Sequence, residues 1–201
     1  SSKDISNEKN MHSKISDRFY LCNIGIDINE VLKAPELKLK GKSLVFTGVM
    51  DYEPNEDAMV YFIQEVFDKV AEKCPEVTLY IVGKNPTDKL KKLVINRKNI
   101  IVTGKVDSVF SYIKSSTIYI SPLRIGSGKK NKIIEAISCG TPLIASTVSM
   151  EGFEDIEDKN LILRADSSNE WVENICKLLS DEEKRIDIKK RMFNLLDESY
   201  S

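Results

Sequence analysis

The stretch from Pro122 to Pro142, PLRIGSGKKNKIIEAISCGTP, gathers near its centre two glycines (Gly126, Gly128), three lysines (Lys129, Lys130, Lys132) and one carboxylate (Glu135). Glycines beside lysines at the opening of a helix suit anion binding: backbone N–H groups come close, the helix dipole presents its positive end, and cations add charge. Two familiar phosphate-binding patterns nevertheless fail. A Walker loop needs glycine where Leu123 stands and Ser or Thr where Lys130 stands. A dinucleotide fingerprint needs glycine where Asn131 stands. What is left is a strand, a glycine loop and a helix opening near Gly128 or Lys129. Lysines in a first helical turn oppose the bare dipole and so ask for a phosphate or diphosphate; a solvated basic turn is the plain alternative. Glu135 follows Gly128 by roughly 10 Å of helix. There a carboxylate can accept from the two hydroxyls of a ribose, or simply pair with Lys132 one turn back.

These residues need a scaffold, and the surrounding pattern supplies one. Short, nearly all-apolar runs at 43–48, 77–83, 99–104, 117–122, 142–147 and 160–164 read as strands buried on both faces. Helical periods separate them at 55–73, 87–95, 106–115, 128–139, 168–179 and 181–197, the first with Met59, Phe62, Ile63, Val66, Phe67 and Val70 on one stripe. Alternation at this spacing predicts an α/β fold: a Rossmann-like, doubly wound parallel sheet of about six strands with helices on both faces. In such sheets ligands bind beyond the carboxyl ends of the strands. Those ends carry Gly48, Gly83, Gly104, Gly126 and Gly128, each of which serves a tight turn or a close backbone approach to a ligand.

Of 201 residues, 41% are hydrophobic and 30% charged, the balance of a globular domain rather than a disordered chain. A net charge of −1 gives no sign of a nucleic-acid partner. The absence of a long apolar run or a signal-peptide opening leads to a cytoplasmic expectation. Cys22, Cys74, Cys139 and Cys176 lack metal-site spacing and read as buried or half-buried thiols; His12, the one histidine, lies in a polar leader. A histidine triad is thereby excluded from this chain. The expected organisation is a leader at 1–19, a hinge or entry segment at 20–42, a Rossmann-like domain at 43–180 and a closing helix and tail at 181–201.

The segment PLRIGSGKKNKIIEAISCGTPLIASTVSMEG resembles the donor-binding signature of retaining glycosyltransferases of the GT-B fold, family four (group 1). The likeness is to the subgroup whose loop reads P-L-R-x-G-S/A-G-x-x-x-K-x-x-E-A. FTGVMDYEPNEDA, LYIVGKNP and IIVTGKV resemble that subgroup's first three strands and loops. The resemblance implies half of a GT-B fold, the carboxy-terminal domain that holds a nucleotide-diphospho-sugar. It implies that Gly48, Gly126, Ser127 and Gly128 face the diphosphate, Glu135 the ribose, and Lys105 and Val106 the base. Arg124 and Lys132 would stabilise the leaving nucleoside diphosphate. No metal or other cofactor is implied.

The sequence departs from the family where Ser127 replaces the first carboxylate of an E-x7-E pair. It departs again where Val49 and an acidic loop replace the arginine and lysine after the first strand. The implied partners are the nucleotide sugar and a missing amino-terminal acceptor-binding domain. A peripheral membrane contact of the full-length enzyme stays open, as does simple solvation of the closing helix. A non-catalytic binding or assembly module and a sugar-nucleotide epimerase remain alternatives.

Overall fold

The computed structural model of the chain describes residues 26–153 and 161–200, with side chains described through Asn194. The leader, His12, Cys22, the start of the expected hinge segment and the first residue of the last expected strand lie outside the described residues.

Six strands form one wholly parallel sheet: β1 Lys42–Thr47, β2 Val77–Val82, β3 Ile100–Gly104, β4 Ile118–Ser121, β5 Leu143–Ala145 and β6 Ile162–Arg164. Their order is β3-β2-β1-β4-β5-β6. Leu44, Val45, Phe46, Leu79, Ile81, Ile118, Tyr119 and Ile120 are buried, as strands covered on both faces require. The order reverses between β1 and β4, which places a crevice where their carboxyl ends diverge.

The helices are α1 Ile28–Lys33, α2 Glu53–Tyr61, α3 Asp68–Lys73, α4 Asp88–Val94, α5 Val109–Ser115, α6 Asn131–Ser138, α7 Ser168–Ser180 and α8 Glu182–Tyr200. A π-helical segment, Phe62–Phe67, joins α2 to α3 without a break in the chain's helical path. All six apolar residues of the expected stripe, Met59 to Val70, are fully buried, and Phe62 meets Trp171 of α7 edge-on at 5.8 Å. α7 begins with a capping box, Ser167 with Glu170. α8 buries Ile188 and Met192 against α6 and α7, while Ile186 and Phe193 stay exposed. Cys139 is buried, and Cys74 and Cys176 are half-buried with their sulfurs 3.9 Å apart.

One expectation gains detail and another needs correction. α1 lies inside the segment read as a hinge. It buries little beyond Val31, so no amphipathic stripe announces it. The chain after it packs onto the domain through Leu37 N–H to Ser115 Oγ (2.7 Å) and Lys40 N–H to Tyr80 Oη (2.8 Å). α6 begins at Asn131, not near Gly128 or Lys129. Gly128 sits at φ +72° and Lys130 is extended, and neither conformation belongs to a right-handed helix.

At the carboxyl ends of β1 and β2 the backbones touch. A Cβ on Gly83, at φ +145°, would lie 1.8 Å from the Gly48 carbonyl oxygen. Gly104, at φ +69°, has nothing within 4 Å of such an atom. Gly83→Ala is therefore expected to destabilise by about 3 kcal/mol through overpacking and backbone strain. Gly104→Ala should cost only about 1 kcal/mol of left-handed strain. Urea unfolding of the two variants beside wild type checks the difference.

Candidate functional site

The crevice at the β1/β4 reversal is a cleft of about 620 Å³. Its floor is backbone: Gly48 N–H donates to Val82 O (3.0 Å) and Gly83 N–H to Gly104 O (3.2 Å), so the first three strands end in one hydrogen-bonded row. The loops after β1 and β2 are tied by Met50 N–H to Lys84 O (2.9 Å) and by Asn85 Nδ2 to Asp51 (2.9 Å). One wall is the loop after β4, where Gly126 takes φ +115°. The opposite rim carries Lys105, Val106 and Val109, and Val49 and Tyr52 add exposed apolar surface at the mouth.

Of the residues singled out from the sequence, Gly48, Lys105, Val106, Gly126, Ser127, Lys132 and Glu135 all line this one cleft. Gly128 and Arg124 do not. The N–H of Gly128 is directed to Glu151 Oε2 (2.9 Å). Arg124 is captured by Asp57, Nε to Oδ2 at 2.9 Å and Nη2 to Oδ1 at 2.5 Å, and its guanidinium lies 4.7 Å from the centre of the Tyr61 ring. A bidentate carboxylate and an aromatic face satisfy the planar guanidinium and hold it on α2, outside the cleft. The lysines also differ from expectation, since Lys129 precedes α6 and Lys130 is its N-cap. Both still line the cleft, beside an N-terminus that has no side-chain cap.

Lys132 is the chemical centre of the site. Its ammonium donates to Asn55 Oδ1 (2.7 Å) and stands 4.2 Å over the Phe46 ring of β1. By surface area the residue is half-buried, yet its amine is enclosed by protein. Burial pushes it down to about 7, opposed by the Glu135 carboxylate and reinforced by Lys130. Burial raises the Glu135 carboxyl in turn, and Lys132 opposes that rise. The two groups face a region where an anion would stabilise the ammonium and hydroxyl donors would stabilise the carboxylate. Among the described residues, no group of three or more His, Cys, Asp or Glu side chains is placed to hold a metal ion.

Asn55 is the residue that sequence reasoning missed. It is 6% exposed, near the start of α2, accepting from Lys132 and donating Nδ2–H to Val49 O (2.9 Å). Its side chain fills the space where a Cβ on Gly48 would stand, 2.6 Å from Nδ2. One amide thus fixes the first loop and the lysine together. The only signal was a polar residue in a helix whose buried stripe needed none.

Residues 41–181 match the family model described as Glycosyl transferases group 1. The chain is 28% identical over 152 residues to a phosphatidyl-myo-inositol mannosyltransferase of Mycobacterium tuberculosis, covering 71% of this chain and 38% of that enzyme. It therefore spans about two fifths of that curated relative's length. S. aureus TarM, solved in complex with fondaparinux, alpha-GlcNAc-glycerol and UDP, superposes with a TM-score of 0.71 at 18% identity, over 96% of this chain and 40% of TarM. The C-terminal domain of a glycosyl transferase group 1 family protein from Francisella tularensis superposes at 0.64 and 17% identity, over 88% of this chain and 99% of that domain. The fold is the Rossmann-like α/β unit of GT-B glycosyltransferases. No helix among the described residues is long and apolar enough to cross a membrane.

Asn55→Ala removes the acceptor for a desolvated ammonium and the donor to Val49 O. We expect a loss of about 2 kcal/mol in chemical denaturation, the cost of stranding a buried polar group. We also expect a Lys132 amine that titrates still lower, followed by NMR of the lysine side chain.

Proposed function

Because this chain belongs to the glycosyl transferases group 1 family, we propose that it is the carboxy-terminal, donor-binding domain of a retaining family-four hexosyltransferase. Its substrate in this reading is a nucleotide-diphospho-sugar, bound across the β1/β4 crevice. The observation that carries the reading is the convergence of Lys132, Glu135 and the glycine backbones of two loops on a single cleft. The diphosphate lies against Gly48, Gly126, Ser127 and the open end of α6, where N–H groups and the helix dipole meet negative charge. Glu135 takes the ribose hydroxyls, and Lys105 and Val106 border the base.

Transfer breaks the bond between the sugar's anomeric carbon and the diphosphate oxygen, and the electron pair leaves with the nucleoside diphosphate. Charge grows on that leaving group, so a cation set against it favours the transition state over the ground state. Lys132 supplies this charge, and no bound metal is required by the scheme. Arg124, bound to Asp57, takes no direct part. The acceptor belongs to a facing amino-terminal domain, so this chain alone is expected to bind donor weakly and transfer no sugar. The same capture of Arg124 favours a second reading, a nucleotide-binding module without turnover. Sugar transfer on joining to an amino-terminal domain eliminates that second reading.

Calorimetry with UDP, GDP and ADP tests the binding claim on the folded 201-residue chain. Silence from every nucleotide overturns it. Glu135→Ala should weaken the preferred diphosphate about tenfold, the worth of a charge-assisted pair of hydrogen bonds, yet leave its 2′,3′-dideoxy analogue unaffected.

The pH dependence has a definite sign. The amine of the empty site has its pKa pushed down to about 7, so it sheds its proton as pH rises through that value. A bound diphosphate favours the charged form and recovers the proton. Affinity is therefore highest below pH 7 and falls above it, by up to about tenfold per pH unit. Lys132→Met should bind weakly at every pH with this slope removed. Calorimetry in buffers of different ionisation enthalpy measures the proton uptake directly.

A further inference from the structure

The turn that follows β5 reaches back to the glycine loop. Ser146 Oγ donates to Leu123 O (2.5 Å), at the loop's beginning, and Ser149 Oγ donates to Ser121 O (2.6 Å) at the end of β4. Both hydroxyls are buried, and Ser146 Oγ also accepts the Ser149 N–H (3.1 Å), so the turn is seated firmly. From this seat Glu151 extends to the loop's far end and accepts the Gly128 N–H through Oε2 (2.9 Å). The other side of Gly128 is held as well: Lys130 Nζ donates to its carbonyl (2.5 Å) and stands 4.0 Å from the same Glu151 oxygen. Lys129 lies beside Gly152, where a Cβ would come within 2.8 Å of Lys129 Cγ, and its ammonium is 5.4 Å from the centre of the Phe153 ring.

We propose that Glu151 and Lys130 form a clamp on Gly128 that sets the shape of the anion-binding loop, with Glu151 as a positioning residue behind the cleft. Gly128 is the left-handed residue at which the loop turns before α6, and its two backbone polar groups are each gripped by one member of an ion pair. Fixing that residue fixes the direction in which Gly126 and Ser127 present their N–H groups to the cleft. Without the carboxylate, the loop has more conformations to lose when an anion binds, and that entropy is charged against affinity. The penalty falls on the part of a ligand that meets the loop. It should separate a diphosphate, which reaches the loop, from a monophosphate, which reaches it less. This consequence for binding rests on the donor site proposed above; the clamp itself does not.

Two measurements on the 201-residue chain decide the matter. Amide hydrogen exchange should show Gly128 protected in the wild type, about tenfold or more less protected in E151A, and largely restored in E151Q, whose amide oxygen can accept the same bond. UDP affinity should fall about tenfold in E151A, a change of about 1.4 kcal/mol, while UMP affinity falls less than twofold. E151Q should recover most of the UDP loss. Should E151A fail to fold, E151D withdraws the carboxylate by one methylene and should shift both readouts in the same direction. An unprotected Gly128 amide in the wild type overturns the clamp, as does E151A exchange matching the wild type. Equal losses of UDP and UMP overturn its link to the diphosphate. If the wild type binds no nucleotide, the donor-site reading fails, and exchange at Gly128 still decides the clamp.

Discussion

The contact between the Gly48 and Gly83 backbones sets the geometry on which the site depends. At the ends of two adjacent, fully paired strands, main chain lies against main chain with no room for a side-chain atom. That proximity lets the loops after β1 and β2 be tied together and leaves a floor of peptide groups beneath the cleft. The sheet fixes the floor, and the floor dictates where the walls stand. A larger residue at Gly83 would part the strands at the point where an anion must approach backbone.

Around this floor the polar groups are paired across large sequence distances. Asn55 joins the first loop to Lys132, Asp57 holds Arg124 on α2, and Glu151 holds Gly128. Arg124 at its exposed position and the part-buried Gly128 N–H are each fixed with their bonds satisfied. Lys132 is the exception by design of its surroundings. One neutral amide and one ring face are modest partners for a desolvated ammonium, and its depressed affinity for the proton expresses that shortfall.

The sheet was legible because strands buried on both faces are apolar almost throughout, and no helix period imitates VTLYIV or SLVFTG. The stripe from Met59 to Val70 was legible for the same reason, although its π-helical segment was not, because both helix types bury those residues. The cleft lining was partly legible, since local spacing grouped Gly126, Lys132 and Glu135 and the family resemblance added Ser127. What was not legible depended on contacts remote in sequence. The motif shows Arg124 next to a glycine loop, but only the fold shows Asp57 and Tyr61 waiting on α2. The late start of α6 follows from left-handed backbone at Gly128, which a glycine permits without requiring. Asn55 offered only its polarity in a helix whose buried stripe is otherwise apolar.

The position of β3 at the sheet's edge has a consequence for how such a domain can diverge. Among the described residues β3 pairs with β2 alone, so the loop that leaves it at Lys105 is answerable to a single neighbouring strand. Residues can be exchanged or inserted there without disturbing any other register. The loops after β1 and β4 emerge from the interior of the sheet, and each is bonded to structure on either side. Change is therefore cheap at the rim and expensive at the centre. A lineage built on this frame can alter what it recognises along one border of the cleft while the anion-facing backbone stays constant.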